Sequence, residues 1–395
     1  MRLIFVNRYF FPDHSATSQL LTDLASYLAG IGHDVHVVTS RQRYDDAGAP
    51  LPQAELAVGV RIHRVWTSRF GRDRLVGRAF DYATFYLSAG WRLFRLARRD
   101  DIVVAKTDPP LISVVAALVA RLRGASLVNW VQDVFPEAAV ALGLKGLEGW
   151  LGRALQRARD ASLAQAVVSV AVSEGMAGYL ISRGVPRDRV KVIHNWADDG
   201  AVVPLPIEQN RLRQQWGLTG QFVVAYSGNM GRAHEFETVL EAASHLRSEA
   251  DIVFLFVGGG KQKAYLEAEA IHRGLAHVLF KPYQSREVLA ESLGAADVHL
   301  VSLQPAVERF IMPSKFYGVA AAGRPAVFVG DPTGELAGMI RSAHCGGVVR
   351  VGDSLGLADL LRALRDNKNL RREWGDNSRR LIDEKYSRKI ASPNV

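Results

Sequence analysis

The sequence predicts an α/β protein made of two doubly wound domains facing a cleft, and three observations lead there. Strand-like apolar runs alternate with helix-period segments in two successive series. A proline-bearing stretch, residues 202–209 with Pro204 and Pro206, has the composition of a linker between them. Finally, 395 residues, 48% hydrophobic and 23% charged, exceed what one ordinary core encloses.

In the first series RLIFVNRYF from Arg2 reads as a buried strand. HSATSQLLTDLASYLAGIG follows as a helix, with Leu20, Leu21, Leu24, Tyr27 and Leu28 at helical period. Ser15 or Thr17 caps its start and Gly30 to Gly32 end it. HDVHVVTS is the next strand, and further strands read at residues 61–65, 101–105, 126–131, 166–171 and 190–194. The second series places strands at residues 222–227, 252–257, 278–281, 298–301 and 326–329. The expected limits are 1–203 for the first domain, 204–375 for the second, and a helix over 376–395 returning towards the first. Such sheets bind ligands beyond the carboxyl ends of their strands, so the loops after Val6, Val131, Ser227, Val257 and Val301 are the functional candidates.

A single cysteine, Cys345, excludes a disulfide framework and cysteine-based metal clusters and suits a reducing cytoplasm. Arg8 and Asp13 interrupt the opening apolar run, which argues against a signal peptide. LISVVAALVA, residues 111–120, is too short to cross a bilayer and meets Arg121 and Arg123. The net charge of +9 concentrates between Arg61 and Arg99, where arginines outnumber Asp73 and Asp81. Trp66, Phe70, Phe80, Tyr82, Phe85, Tyr86, Trp91 and Phe94 are interleaved with them. Cations mixed with aromatics favour an anionic membrane surface. The plainer alternative is a helix pair with a solvated basic face. No nucleic-acid motif accompanies the charge, so nucleic acid is not expected as a partner.

The segment richest in chemistry is VVAYSGNMGRAHEFETVLEAA from Val223. A parallel strand ending in Gly228, Asn229 and Gly231 lets backbone N–H groups approach an anion, and Arg232 adds a cation. That reads as a diphosphate site. MPSKFYGVAAAGRP from Met312 puts Ser314 and Lys315 at a second helix start, so two helix N-termini and two cations are expected to converge on one leaving group. No Asp-x-Asp pair occurs, which favours catalysis without a metal or other cofactor. VGGGKQK follows a strand but lacks the spacing of a dinucleotide fingerprint.

Taken with YFFPDHSATSQLLTDLASYLAGIGHDVHVVTS, WVQDVFPEAAVALG, VIHNWAD, FVGGGKQKAYLE and FKPYQSREVLAESLGAADVHLVSL, these segments resemble, over nearly the whole chain, family 4 glycosyltransferases of GT-B fold. The resemblance is strongest to the bacterial surface-polysaccharide and O-antigen subgroup of colanic-acid type. It implies two Rossmann-like domains, the second binding a nucleotide-sugar donor and the first an acceptor. The implied reaction is transfer with retention from a UDP-linked sugar, N-acetylhexosamine among the options, to a polyprenyl-diphosphate-linked glycan. The implied location is the inner face of the cytoplasmic membrane, with Arg232 and Lys315 stabilising the departing diphosphate.

The chain also departs from the family pattern. Where the family carries the two glutamates of its E-x7-E element, this sequence has Phe310 and Gly318, and Glu308 lies two residues upstream as an alternative contact to the donor sugar. The lysine usual shortly after Arg232 is replaced by Glu235, leaving Lys261 or Lys263 as substitutes. On the acceptor side DHSATS offers His14, Ser15 and Thr17 in place of a glycine-rich loop. Asp133, next to Gln132 where many relatives carry histidine, is placed to take the acceptor proton or orient a hydroxyl. It is equally suited to cap the helix beginning near Pro136. Asn195 reads as a turn at the domain junction. A GT-B nucleotide-sugar 2-epimerase and a non-catalytic assembly scaffold share parts of this pattern, but the basic aromatic stretch and the first-domain loops favour a transferase.

Overall fold

A computed structural model describes residues 1–13, 15–43, 50–71 and 75–391. The chain forms two compact units: Met1–His194 joined by Arg309–Ile311, and Asn195–Glu308 joined by the chain from Met312 onward.

The first unit is built on an eight-stranded sheet of β1 (Arg2–Val6), β2 (Asp34–Ser40), β3 (Ala54–Ala57), β4 (Val60–Val65), β5 (Ile102–Lys106), β6 (Ser126–Val131), β7 (Val168–Ala171) and β8 (Val190–Val192). Their order is β3-β4-β2-β1-β5-β6-β7-β8, parallel except for the β3–β4 pair. Central strands such as β1 are apolar on both faces because helices cover both sides of a parallel sheet. The helices are α1 (Ala16–Gly30), α2 (Leu75–Leu96), α3 (Ile112–Arg123), α4 (Glu137–Ala141), α5 (Trp150–Gln165) and α6 (Glu174–Ser182). Phe85, Ala89 and Leu93 recur every four residues on the inner stripe of α2 and pack with Ile112, Ala116 and Ala120 of α3. The two helices approach so closely that a Cβ on Gly90 would stand 2.9 Å from Val115 Cγ1. Phe85 is fully buried there, and truncating it to alanine would cost about 3–5 kcal/mol.

The second unit carries an all-parallel sheet of β9 (Phe222–Ser227), β10 (Ile252–Val257), β11 (Val278–Lys281), β12 (Val298–Ser302), β13 (Ala326–Gly330) and β14 (Gly346–Arg350). The order is β11-β10-β9-β12-β13-β14, with β9 between β10 and β12. Its helices are α7 (Arg211–Gln215), α8 (Glu237–His245), α9 (Lys263–His272), α10 (Leu289–Gly294), α11 (Lys315–Ala321), α12 (Glu335–Ala343), α13 (Ser354–Asp366), α14 (Lys368–Leu381) and α15 (Arg388–Ala391).

Two strands escape the sequence reading. β3 is a short, exposed edge without apolar alternation. β14 opens on two glycines because a Cβ on Gly346 would collide with Ala326 O at 1.8 Å, so close pairing displaces the usual β-branched residue. The unit boundary falls at His194/Asn195, nine residues before the expected 203/204 limit. Residues from 376 to Ala391, expected as a helix returning to the first domain, belong to the second unit, where Arg379 donates to the carbonyls of Asp199, Val202 and Ala321. Among the described residues no helix is long and apolar enough to cross a membrane.

Candidate active site

Two glycine loops interlock at the carboxyl ends of β9 and β10. Gly228 and Gly258 adopt φ of 126° and 139°, conformations that L side chains rarely enter. A Cβ on Gly258 would sit 2.2 Å from Gly228 O, and one on Gly260 would sit 2.4 Å from Asn229 Oδ1. The loops are stitched by Met230 N–H to Gly259 O (2.6 Å) and Gln262 N–H to Met230 O (3.0 Å). Gln262 Nε2 also donates to Gly231 O (2.6 Å). The N–H groups of Asn229, Gly231, Gly259 and Gly260 find no acceptor among the described residues, which leaves a set of unengaged backbone donors on the two loops.

Lys315, the first residue of α11, reaches this loop. A Cβ on Gly228 would touch its Cε at 3.6 Å. Its ammonium lies 3.7 Å from the Tyr226 ring centroid, donates to Tyr226 Oη, and stands 3.3 Å from His234 Nε2. The tautomer of His234 follows from its other nitrogen. Nδ1 faces Ser302 O at 2.6 Å, and a carbonyl only accepts, so Nδ1 carries the proton and Nε2 accepts from Lys315. Burial first, then the Lys315 charge, push His234 down to about 3, so it stays neutral. Tyr226 in turn donates to Asn229 O at 2.9 Å. An ammonium has three donors, and this network uses two of them. Lys315 pairs with no carboxylate among the described residues, and burial lowers its pKa.

The other expected donor-side residues are placed less uniformly. Asn229 and Gly231 are within the loop, their side-chain amide and a Gly231 Cβ only 3.0 Å apart. Arg232 is exposed and forms no ion pair among the described residues. Lys261 is exposed just after the second glycine loop, while Lys263 turns to Glu267 at 3.7 Å. Ser314 occupies the N-cap position of α11 but its hydroxyl makes no capping bond. The first glycine loop does not run straight into a helix: α8 starts at Glu237 after its N-cap Phe236, and buried Glu235, one residue further back, accepts from the Thr238 N–H in the first turn at 3.0 Å. Glu235 therefore has a structural task where a cation was expected. Glu308 is partly buried at the start of α12, so close that a Cβ on Gly334 would meet its Oε1 at 2.1 Å. Burial, then the Asp331 charge, push Glu308 up to about 7 against the pull of the helix N–H groups. Gly318 has room, since its Cβ would meet only Leu293 Cδ1 at 3.5 Å. Phe310 belongs to the first unit, its ring edge-on to Tyr179 at 5.1 Å. His234 and Tyr226, which complete the site, were not foreseen; a histidine six residues past the strand-ending glycine was the available signal.

In the first unit Asp133 stands beyond the end of β6. Its N–H and that of Gln132 both point to Thr107 Oγ1 (3.4 and 2.9 Å), which ties the loops after β5 and β6 together. It does not cap α4, whose N-cap is Pro136. Desolvation, then the Asp108 charge, raise the Asp133 carboxyl pKa against the pull of Lys106, while the solvent-open side of Asp133 tempers the shift. Ser15 is at the N-cap of α1, yet neither it nor Thr17 caps the helix: Ser15 N–H donates to Asp13 Oδ1 at 2.8 Å, and Ser15 Oγ is buried without a partner among the described residues. His14 lies outside the described residues.

The basic aromatic stretch divides by face. Trp66 and Phe70 are exposed, as are Val76, Phe80, Leu87 and Trp91 along the outer stripe of α2. Leu118 and Leu122 extend exposed apolar surface onto α3. Leu87 and Trp91 are 75% and 64% exposed. Exposed Arg69, Arg95, Arg98 and Arg99 accompany them, with Arg95 over the Trp91 ring at 5.7 Å. Phe85 instead belongs to the core, and Arg64 is buried in an ion pair with Glu55 (2.6 Å). Arg72 and Arg74 lie outside the described residues.

The Glycosyl transferase 4-like domain profile matches residues 17–196, and the Glycosyl transferases group 1 profile matches residues 208–381. A putative colanic acid biosynthesis glycosyl transferase of Escherichia coli K12 is 27% identical over 354 residues, 85% of each chain. The probable glycosyltransferase WbjE of Pseudomonas aeruginosa is 29% identical over 299 residues, 74% of this chain and 73% of that one. Among solved structures, Anabaena HepE in complex with UDP superimposes with a TM-score of 0.72 at 15% identity, covering 100% of this chain and 98% of that one. WaaG, a glycosyltransferase involved in lipopolysaccharide biosynthesis, gives 0.70 at 18% identity, covering 100% and 99%. Since one profile covers most of each unit and the doubly wound pair recurs in these structures, the chain belongs to the family 4 glycosyltransferases of GT-B fold.

Proposed function

We propose that this glycosyltransferase moves a sugar, with retention and without a metal, from a UDP-linked donor to a polyprenyl-diphosphate-linked glycan in bacterial surface-polysaccharide synthesis. The observation that carries the reading is the Lys315 ammonium: two donors engaged, a third open, beside a loop of unpaired backbone N–H groups. As the bond from the anomeric carbon to the diphosphate breaks, negative charge grows on the leaving oxygen, and preorganised donors stabilise it. An acceptor oxygen bonds to the anomeric carbon, with Asp133 orienting the hydroxyl or taking its proton. UDP is favoured because HepE is described in complex with UDP and with UDP-glucose, and the polysaccharide role because one relative is assigned to colanic acid biosynthesis. The apolar stripe of α2 with Leu118 and Leu122, flanked by arginines, supports docking on an anionic membrane, where a polyprenyl acceptor resides.

The test is a donor screen by thermal unfolding with UDP-, GDP- and dTDP-sugars, followed by transfer to undecaprenyl-diphosphate N-acetylglucosamine in vesicles. A donor at a hundred times its Kd stabilises by about 2.7 kcal/mol. Protection by UDP-sugars followed by transfer is expected. Protection by none of them, or conversion of the sugar without acceptor, would overturn the proposal, the latter in favour of an epimerase.

A further inference from the structure

His234 is tied into several separate segments of the second unit. Its N–H donates to Gly231 O (3.1 Å) in the first glycine loop, and its carbonyl accepts from Gln262 Nε2 (3.1 Å) beyond the second. Its Nδ1–H donates to Ser302 O (2.6 Å) at the end of β12, and its Nε2 accepts from Lys315 (3.3 Å) at the start of α11. Tyr226 and Phe236 flank the ring edge-on, with centroids 5.8 and 6.3 Å away. Backbone and imidazole are both fixed, and a turn of the ring would give up both of its side-chain hydrogen bonds at once.

What this arrangement holds still is an ammonium. The bonds to His234 Nε2 and Tyr226 Oη take two of the three Lys315 donors. With two directions of a tetrahedral nitrogen pinned, no rotation remains about the Cε–Nζ bond, and the third N–H has one direction. Tyr226 Oη is itself oriented, because it donates to Asn229 O at 2.9 Å. Both partners are neutral acceptors: a phenol that burial keeps protonated, and the ring nitrogen that the Ser302 carbonyl leaves without a proton. They orient the charge without cancelling it, as a carboxylate at the same distance would do.

We infer that His234 is a positioning residue: held by Ser302, it accepts from Lys315 and thereby aims the remaining ammonium donor at a diphosphate beside the glycine loop. It acts through Lys315 and need not touch the ligand. This inference rests on the diphosphate reading of the Lys315 site.

The test uses the full chain and inorganic pyrophosphate as the probe, with affinity read from protection against thermal unfolding. Lys315→Met should lose the protection, and His234→Leu should weaken binding by about tenfold or more, the loss of one hydrogen bond to a charged group. A glutamine amide both accepts and donates, so His234→Gln should recover most of that loss. The deciding measurement is the double variant: a residue that works through Lys315 adds nothing further once Lys315→Met is in place. An additive loss would make His234 a merely structural support and overturn the inference, as would unchanged binding in His234→Leu or pyrophosphate protection that is absent from the wild type or survives Lys315→Met. If His234→Leu does not fold, histidine ¹⁵N spectra decide, with the His234 signals assigned by their disappearance in His234→Gln. A neutral ring protonated at Nδ1, whose Nε2 resonance moves on Lys315→Met, is expected; an unmoved Nε2 overturns the inference. Protection by pyrophosphate but by no nucleotide sugar would count against the proposed function alone.

Discussion

Replacing Lys315 with methionine keeps the length of the side chain and removes its charge. Two hydrogen bonds disappear, to Tyr226 Oη and His234 Nε2, each with a net value of about 0.5–1.5 kcal/mol. Against that, an ammonium without a carboxylate partner no longer has to be desolvated, so stability should change by less than about 2 kcal/mol. The loop itself keeps its other ties, because Tyr226 still donates to Asn229 O and Met230 N–H to Gly259 O. The rate loss is larger: removing one preorganised donor from a developing anion costs about 10²–10³ in kcat, or roughly 2.7–4 kcal/mol. The variant should therefore be folded and nearly inactive. Arg232→Ala, at an exposed position without an ion pair among the described residues, should lose less. The assay is steady-state transfer from the UDP-sugar found by the screen, with denaturant unfolding run in parallel. Near-wild-type kcat in Lys315→Met would refute the diphosphate site, and an unfolded variant would refute the stability argument.

Four further outcomes are expected. Gly258→Ala should abolish donor protection, because its Cβ would lie 2.2 Å from Gly228 O, whereas Gly318→Ala should retain donor protection and gain up to about 1 kcal/mol in denaturant unfolding from helix propensity. Glu308 is pushed up to about 7, so its neutral form favours the fold: that contribution is present below about 4.5 and lost as pH rises through 7. Glu308→Gln should thus gain stability over wild type across this window, and a pH-independent difference would contradict the assignment. Transfer should survive excess EDTA; loss restored by magnesium or manganese would rule out a metal-free reaction. Arg69→Glu with Arg95→Glu should weaken sedimentation with anionic vesicles mainly at low salt, and Leu87→Ser with Trp91→Ser at all salt concentrations. Unchanged sedimentation of both would make this a solvated face.

Much of the fold was legible because parallel strands buried on both faces are uninterrupted apolar runs, as in Phe222–Ser227 and Ile252–Val257, read to the residue. Edges were not: β3 has no apolar alternation, and β14 is written in glycines demanded by a neighbouring strand. At the site, Gly228, Asn229, Gly231 and Lys315 could be named from local pattern, since a strand-ending glycine turn and a lysine at a helix start announce themselves in a few residues. The roles of Arg232 and Glu235 could not, because whether a side chain turns towards the loop, towards solvent or to the first turn of α8 depends on the path of the chain after it.

What the sequence by itself determined is the set of local choices: two α/β series, glycines where backbone must approach closely, and an arginine-rich aromatic segment. Those follow from φ/ψ limits, hydrophobic period and charge, all short-range properties. Only the tertiary structure decided which polar groups meet. His234 reaches Lys315 because β9 and β12 are neighbours, so that the Ser302 carbonyl fixes the imidazole from the side. Lys106 lies over the Trp130 ring because β5 and β6 pair side by side, a contact between residues 24 apart in sequence. The reason is physical: an ion's energy depends on everything within several ångströms, and residues that far apart in sequence become neighbours only when the sheet is assembled.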